Sequence, residues 1–449
     1  MKINPQLTEY QKEIVKNDLI PNEWFEKFHV FRGLRDNNGK GVLTGLTNIS
    51  DIYSKKIVNG KTVPAEGVLM YRGIPIEDIV SGFYGENRFG FEETVYLLMF
   101  GALPNREELA NFNSLLSSYR TLPPSFTRDV IMKSPSPDIM NSLARSVLML
   151  HSYDENANNI DIENVLAQSL FLIAVFPMLS VYSYHAYRHY FCDDSMIIHQ
   201  PSPELSTAEN ILTLLRPDMN YTRTEARILD IALVLHAEHG GGNNSTFTTH
   251  VVTSTGTDTY SAIASALCSL KGPRHGGANI KTADMFENIK QNVKDWKDEG
   301  EIKQYLEKIM DKQAFDKAGL IYGVGHAIYA YSDPRAVILS ALLEDLAAEK
   351  GCSKEYELFK RVEKLAPDVV ASRTKVYKPL CLNIDFYSGY VYKLLNLPKE
   401  LFTPIFAISR ISGWCSHRLE ELVNQGKIIR PAYENVCAHT EYIPLKGRK

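Results

Sequence analysis

The chain has 449 residues, with 49 lysines and arginines against 53 aspartates and glutamates and a formal net charge of −4. At 44% hydrophobic and 23% charged residues, its composition is that of an ordinary globular protein, which excludes collagen-like, low-complexity and mainly disordered classes. The near-neutral balance gives no general electrostatic reason to bind nucleic acid or an anionic membrane.

Length alone suggests roughly three domains, or one large helical domain carrying an insertion. The six cysteines (192, 268, 352, 381, 415, 437) are scattered and form no CxxC pair. That pattern fits reduced thiols in a cytoplasm rather than a disulfide scaffold or a zinc site. The first residues lack the apolar core of a signal peptide, and they are not Arg/Ser-rich like a transit peptide.

The first thirty residues read as one or two polar helices. Residues 31–79 are rich in Gly, Val, Ile and Thr and carry Asn59-Gly60, a hairpin signal. A small β excursion is expected here, with little strand elsewhere. From about residue 80 the apolar spacing is helical. Residues 91–100 form a helix stopped by Gly101, with Pro104 opening the next. Further helices are expected over 105–119, 138–150, 160–184, 207–215 and 222–238. The pattern continues over 258–270, 276–289, 302–312, 334–350, 354–365 and 402–424, each separated by breaker residues. The most apolar stretch, residues 170–179, contains Pro177 and is too short for a bilayer, which takes about 20 residues. It reads as a buried core helix. No repeat of solenoid period is visible. Residues 281–317 are dense in Lys, Asp and Glu, which suits a smaller, more solvated domain or a solvated helix face.

Four breaker-rich segments carry residues of catalytic type. In HAEHGGGNNSTF, His236 and His239 lie three apart at a helix end. The HExxH pattern is absent, and HxxEH would need a histidine at Leu235. Two structural histidines, or one that binds an anionic ligand, are the readings left open. In GPRHGGAN, His275 precedes a helix whose positive end lowers its pKa and favours a neutral imidazole. Taken alone, a surface turn explains it as well. In GVGHAIY, followed by DPR, the glycines admit close approach of a ligand. His326 and Arg335 then offer a donor and a bidentate carboxylate clamp. GxGH lacks the dinucleotide fingerprint. In NIDFYSG, Asp385 stands among apolar neighbours, where desolvation makes a stronger base. An N-cap for the apolar run that follows is the plainer alternative. Arg410 and Arg430 are further cations in apolar settings, and Walker, GxSxG and kinase signatures are missing. Three histidines, an aspartate and three arginines suggest proton chemistry on a multiply anionic carbonyl substrate.

In this order and spacing the four motifs resemble the citrate synthase family, with its 2-methylcitrate synthase members, from FRGLRD at Phe31 to IRP at Ile429. The resemblance implies a mainly α fold with a large helical domain (1–277 and 385–449) and a small inserted helical domain (278–384). It implies condensation of acetyl-CoA with oxaloacetate, then thioester hydrolysis to citrate and CoA, as in the tricarboxylic acid cycle. Propionyl-CoA is the alternative donor, and a non-catalytic CoA- or dicarboxylate-binding paralogue is the remote one. Asp385 would abstract the α-proton, His275 would stabilise the enolate, and His326 would polarise and protonate the ketone. His239, Arg335 and Arg410 would hold oxaloacetate, with Arg430 contributed across a homodimer interface. Arg32, Arg274, Lys375 and Lys378 are candidate CoA contacts. No metal and no cofactor is implied beyond the acyl-CoA substrate, and the expected location is cytoplasmic. The short N-terminus suggests a dimer without the extra β-domain of the NADH-regulated hexameric members.

Overall fold

A computed structural model describes residues 4–36, 40–374 and 379–448. Its residues group into two compact units: Met1–Leu46 with Arg430–Lys449, and Thr47–Ile429. The terminal unit carries the two expected polar helices, Leu7–Asp18 and Asn22–Lys27, neither with a buried residue.

The larger unit opens with an antiparallel sheet of β1 (Ser50–Val58), β2 (Lys61–Tyr71) and β3 (Ile74–Pro75), in that order. Asn59 and Gly60 both have positive φ, 50° and 74°. This is the backbone a two-residue hairpin needs for its twist to match the strands. Helix takes 58% of the chain and strand 6%, so the fold is mainly α.

Local chemistry starts most helices where the spacing predicts. Asn105 with Glu108, Ser206 with Glu209, and Thr222 with Glu225 form capping boxes. In each, two orphan backbone N–H groups are satisfied reciprocally. Gly101, at φ 85°, takes the left-handed C-cap of Phe91–Phe100.

Two helices run past the expected stops. Ile162–Cys192, which spans Pro177 as expected, continues beyond 184, and Ser353–Arg373 continues beyond 365 through Pro367. In the second, Leu358, Phe359, Val362, Ala366 and Val369 keep one buried stripe across the proline, so packing outweighs the lost hydrogen bond. The 31-residue helix Ile162–Cys192 is long and apolar enough to cross a membrane, against the ten-residue expectation. Yet 83% of its apolar window is buried inside the protein, as in a core helix. It packs against the other long helix, Phe402–Val423, which also contacts Arg223–His236 and Asn244–Thr253. These contacts put the central helix of the core directly behind the histidine segments.

Candidate active site

The sheet supports the segment that carries His326. A Cβ at Gly67 in β2 would stand 2.2 Å from Ser332 O and 2.7 Å from the Tyr329 ring, so only glycine lets this loop lie against the strand. From β1, Ser54 Oγ donates to Ile328 O (2.6 Å). Behind it, Gly323 and Gly325 take φ of 83° and 92°. Gly325 N donates to Cys381 O (2.7 Å), and Asn383 binds Gly323 O and Gly325 O through its N and Nδ2 (2.9 and 2.8 Å). The segment of His326 is thereby bonded to the segment before Asp385.

Asn383, not Asp385, caps the helix Ile384–Leu394, its side chain accepting from Asp385 N at 3.0 Å. The capping alternative for Asp385 is thus taken by a residue two positions earlier. Asp385 sits partly buried in the first turn. Burial pushes its carboxyl up to about 6, and the neighbouring Asp333 adds to this while Arg335 and Arg410 oppose it. A carboxylate at that value is ionised at neutral pH and a better base than an exposed aspartate.

His326 stacks on Tyr329, with centroids 4.5 Å apart, and meets His239 edge-on at 5.3 Å. Its Nδ1 lies 3.1 Å from the backbone N–H groups of both Ile328 and Tyr329. Those donors make Nδ1 an acceptor, so in the neutral ring the proton is on Nε2, which becomes a donor. His239 is buried, with Nε2 3.3 Å from Tyr329 Oη. Burial, then Arg335, His326 and Arg410, hold its pKa well below the ordinary value. It is therefore a neutral imidazole at neutral pH.

His275 is pushed down to about 4 by burial, with Arg410 adding to the effect. The direction is the expected one. The principal cause is desolvation rather than the following helix, which starts at Ala278. Its Nε2 lies 3.1 Å from Ser245 Oγ, which also accepts from Trp414 Nε1 (3.2 Å). The single Ser245 proton goes either to His275 Nε2 or to Asn243 Oδ1 (3.0 Å). In the first arrangement the imidazole proton sits on Nδ1 and is available to a ligand.

Arg335 and Arg410 are both buried, at 4% and 1% exposure. The Arg335 Nε–Nη2 edge is already gripped by Asp333 (3.0 and 2.7 Å), the N-cap of its own helix. The bidentate clamp expected of Arg335 thus closes on Asp333 along that edge. Arg410 donates from Nε to His236 O (2.7 Å) and lies 4.7 Å from the centroid of the Phe406 ring, while its buried Nη1 has no partner among the described residues. Phe406 also packs on His275 (6.4 Å) and His236 (4.6 Å). Burial lowers Arg410 to about 10, still cationic at neutral pH.

The larger unit thus draws His239, His275, His326, Arg335, Arg410 and Asp385 into one neighbourhood. Arg274 is exposed. Arg32 and Arg430 belong to the terminal unit, where Arg32 donates to Asn22 Oδ1 (2.7 Å) and lies over Phe25. Lys375 and Lys378 lie outside the described residues. The sequence reading missed Ser245, Asp333 and Tyr329 as supporting residues. Ser245 and Tyr329 stand inside the motif segments, and Asp333 precedes Arg335 by the two residues that an N-cap requires.

Among the described residues one trio has spacing suited to a cation: His250, His417 and Glu420, with ligand atoms within 4.8 Å. There His250 Nε2 and His417 Nδ1 already bond each other at 3.1 Å. A cavity of about 1060 Å³ opens elsewhere, beside Arg188, Arg216, Lys393 and Lys399. Each of these cations already holds a carboxylate: Asp194, Glu225, Glu287 and Asp284 respectively.

A family model described as "Citrate synthase, C-terminal domain" matches residues 34–432. A citrate synthase of Deinococcus radiodurans is 34% identical over 91% of this chain and 99% of its own length. A 2-methylcitrate synthase of Shewanella oneidensis is 32% identical over 85% of this chain and 92% of its own. A solved citrate synthase of Thermoplasma acidophilum, in ternary complex with carboxymethyl coenzyme A and oxaloacetate, superposes with a TM-score of 0.75. It is 26% identical and covers 93% of this chain and 99% of its own.

Proposed function

The chain belongs to the citrate synthase family, and from that membership we propose that it condenses acetyl-CoA with oxaloacetate and hydrolyses the resulting thioester. The observation that carries this reading is the trio of tuned groups. Asp385 is raised to about 6 while His275 is held neutral at about 4, and His326 carries its proton on Nε2 by the hydrogen bonds at Nδ1.

The chemistry follows from those states. A thioester α-proton is weakly acidic, so removing it takes a strengthened base together with a donor for the enolate oxygen. Asp385 takes the proton, and His275, proton on Nδ1, donates to the thioester oxygen. The enol carbon attacks the ketone of oxaloacetate, whose oxygen takes the proton from His326 Nε2. Water then cleaves the citryl thioester, and CoA leaves as the thiol. His239, Arg410 and the outer edge of Arg335 hold the two carboxylates and align the ketone, where orientation supplies up to about 7–11 kcal/mol in model reactions. Segment 278–384 closing over the larger domain would keep water out until condensation.

We also propose a homodimer in the cytoplasm, with Arg430 contributed across the interface. Apolar side chains left open on the terminal unit support the dimer, among them Leu46 at 92% and Tyr433 at 94% exposure.

The relatives include both acyl-donor types, and the two substrates differ by one methylene, worth about 1–3 kcal/mol in a pocket. Thiol release with oxaloacetate and either acetyl-CoA or propionyl-CoA, run in EDTA, separates them. At least about tenfold higher kcat/KM with acetyl-CoA is expected; parity or a preference for propionyl-CoA would assign the methylcitrate reaction. The pH profile follows from the same groups. As Asp385 takes up its proton, kcat/KM falls towards tenfold per unit below about pH 6. His275 titrates too low to shape that limb, so a limb centred near pH 4 would contradict the assignment of the base.

A further inference from the structure

Behind the dicarboxylate-holding residues lies a row of titratable side chains that the mechanism does not use. Glu238 is fully buried and immediately precedes His239. Its Oε1 stands 3.1 Å from Nε2 of His417, also fully buried, and accepts from Ser50 Oγ at 3.1 Å. His417 Nδ1 meets His250 Nε2 (3.1 Å), and His250 Nδ1 meets Glu421 Oε2 (2.8 Å). Burial alone would raise Glu238 and lower His417. Their mutual attraction outweighs this, holding the carboxyl at about 2 and the imidazole at about 9. Both are therefore charged at neutral pH.

The geometry ties this pair to the ligand-binding residues. Arg410, Gly413 and His417 are spaced i, i+3, i+7 on the helix Phe402–Val423, so they share one face. Each touches the segment leading into His239. Arg410 Nε caps His236 O (2.7 Å). A Cβ at Gly413 would stand 2.5 Å from Ala237 O and 2.3 Å from Glu238 Oε2, so the helix lies directly on this backbone. From the sheet side, Tyr71 Oη accepts Glu238 N–H at 3.2 Å. The His239 segment is thus held between β2 and the Arg410 helix, with Glu238–His417 as its charged fastening.

We infer that Glu238 and His417 are positioning residues for the dicarboxylate subsite. Their buried ion pair sets His239 and Arg410 at the separation at which both can grip one ligand. The inference rests on the reading proposed above for those two residues. A buried pair of this kind is poor evidence for net stability but loses heavily when one partner goes. That makes its geometry stiff, which a preorganised site requires.

Kinetics of the full chain carrying Glu238→Gln test it, since the amide keeps the size and removes the charge. KM for oxaloacetate should rise at least about tenfold, with KM for acetyl-CoA within about twofold. A merely structural role would lower kcat with the folded fraction and leave both KM values alone, and that result would overturn the inference. Should this variant fail to fold, Ser50→Ala removes only the hydroxyl that donates to Glu238. A rise of about threefold in the oxaloacetate KM is then expected, and an unchanged value overturns the inference. Wild-type activity lost in EDTA and restored by zinc would make the cluster a metal site instead, which also overturns it. Wild-type protein that releases no thiol would sink the functional reading, and calorimetric titration of wild type and Glu238→Gln with oxaloacetate would still decide the positioning role.

Discussion

Asp385→Asn should remove most turnover while leaving the fold intact and oxaloacetate binding close to wild type. The amide cannot accept the α-proton, and positioned general-base catalysis is worth about 10²–10⁴ in rate. In the proposed site oxaloacetate is gripped by other residues, so its dissociation constant should stay within about threefold. Stability should move the other way. The folded-state pKa of Asp385, about 6, lies above the ordinary 3.8. For a carboxyl raised in this way, ionisation opposes folding. The cost is absent below about pH 4, grows as pH rises to about 6, and stays constant above that. The shift corresponds to about 3 kcal/mol at most, and partial exposure of the side chain reduces it to about 1–2 kcal/mol. At pH 7 Asp385→Asn should therefore melt slightly above wild type, and at pH 4 the gain should vanish. Turnover near wild type would show that another group is the base. A lower melting temperature at pH 7 would show that the carboxylate is stabilised where it stands.

Arg410→Ala should weaken oxaloacetate binding more than any other single change in the carboxylate-holding set. Among the described residues, the buried Nη1 of Arg410 has no partner and its Nε makes one backbone bond, to His236 O. Its remaining donors can be satisfied by a ligand anion, and truncating one partner of a buried charged contact costs about 2–4 kcal/mol. That is roughly 30- to 700-fold in the dissociation constant. Arg335→Ala is the less clean experiment, because Asp333 would be left buried without its cation, at a stability cost of about 3–5 kcal/mol. Arg410→Lys should fall between wild type and Ala, since lysine restores charge without the planar fork. Calorimetric titration with oxaloacetate measures all three variants. An affinity within about threefold of wild type in Arg410→Ala would remove Arg410 from the site.

The grouping of these side chains was legible because each candidate residue of the four motifs stands in a short segment broken by Gly, Pro or Asn, where local sequence dictates backbone shape. Gly323 and Gly325 announce a loop that admits close approach, and Asn59-Gly60 announces the hairpin that props it up. What local sequence could not reveal lies across long separations. Glu238 and His417 are distant in the chain and meet only when the Phe402–Val423 helix lies on the His236–Glu238 backbone. The readable trace was the glycine midway between Arg410 and His417 on one helical face. A proline misled at one helix end: Pro367 follows the expected stop at 365, yet it sits where a continuous buried stripe outweighs one missing hydrogen bond. Asp385 offered two readings, a base or an N-cap, because it precedes an apolar run; Asn383 takes the capping duty two residues earlier and leaves the Asp385 carboxylate outside the cap.

The central claim is that these residues join an acyl thioester to a dicarboxylate and release CoA. Its most direct test is NMR of the products formed from methyl-labelled [¹³C]acetyl-CoA and oxaloacetate, with free thiol counted in the same sample. The account predicts labelled citrate and thiol in equal amounts, both dependent on oxaloacetate and both lost in Asp385→Asn. Folded protein that binds oxaloacetate yet leaves the label in acetyl-CoA, or releases thiol without forming citrate, would contradict it.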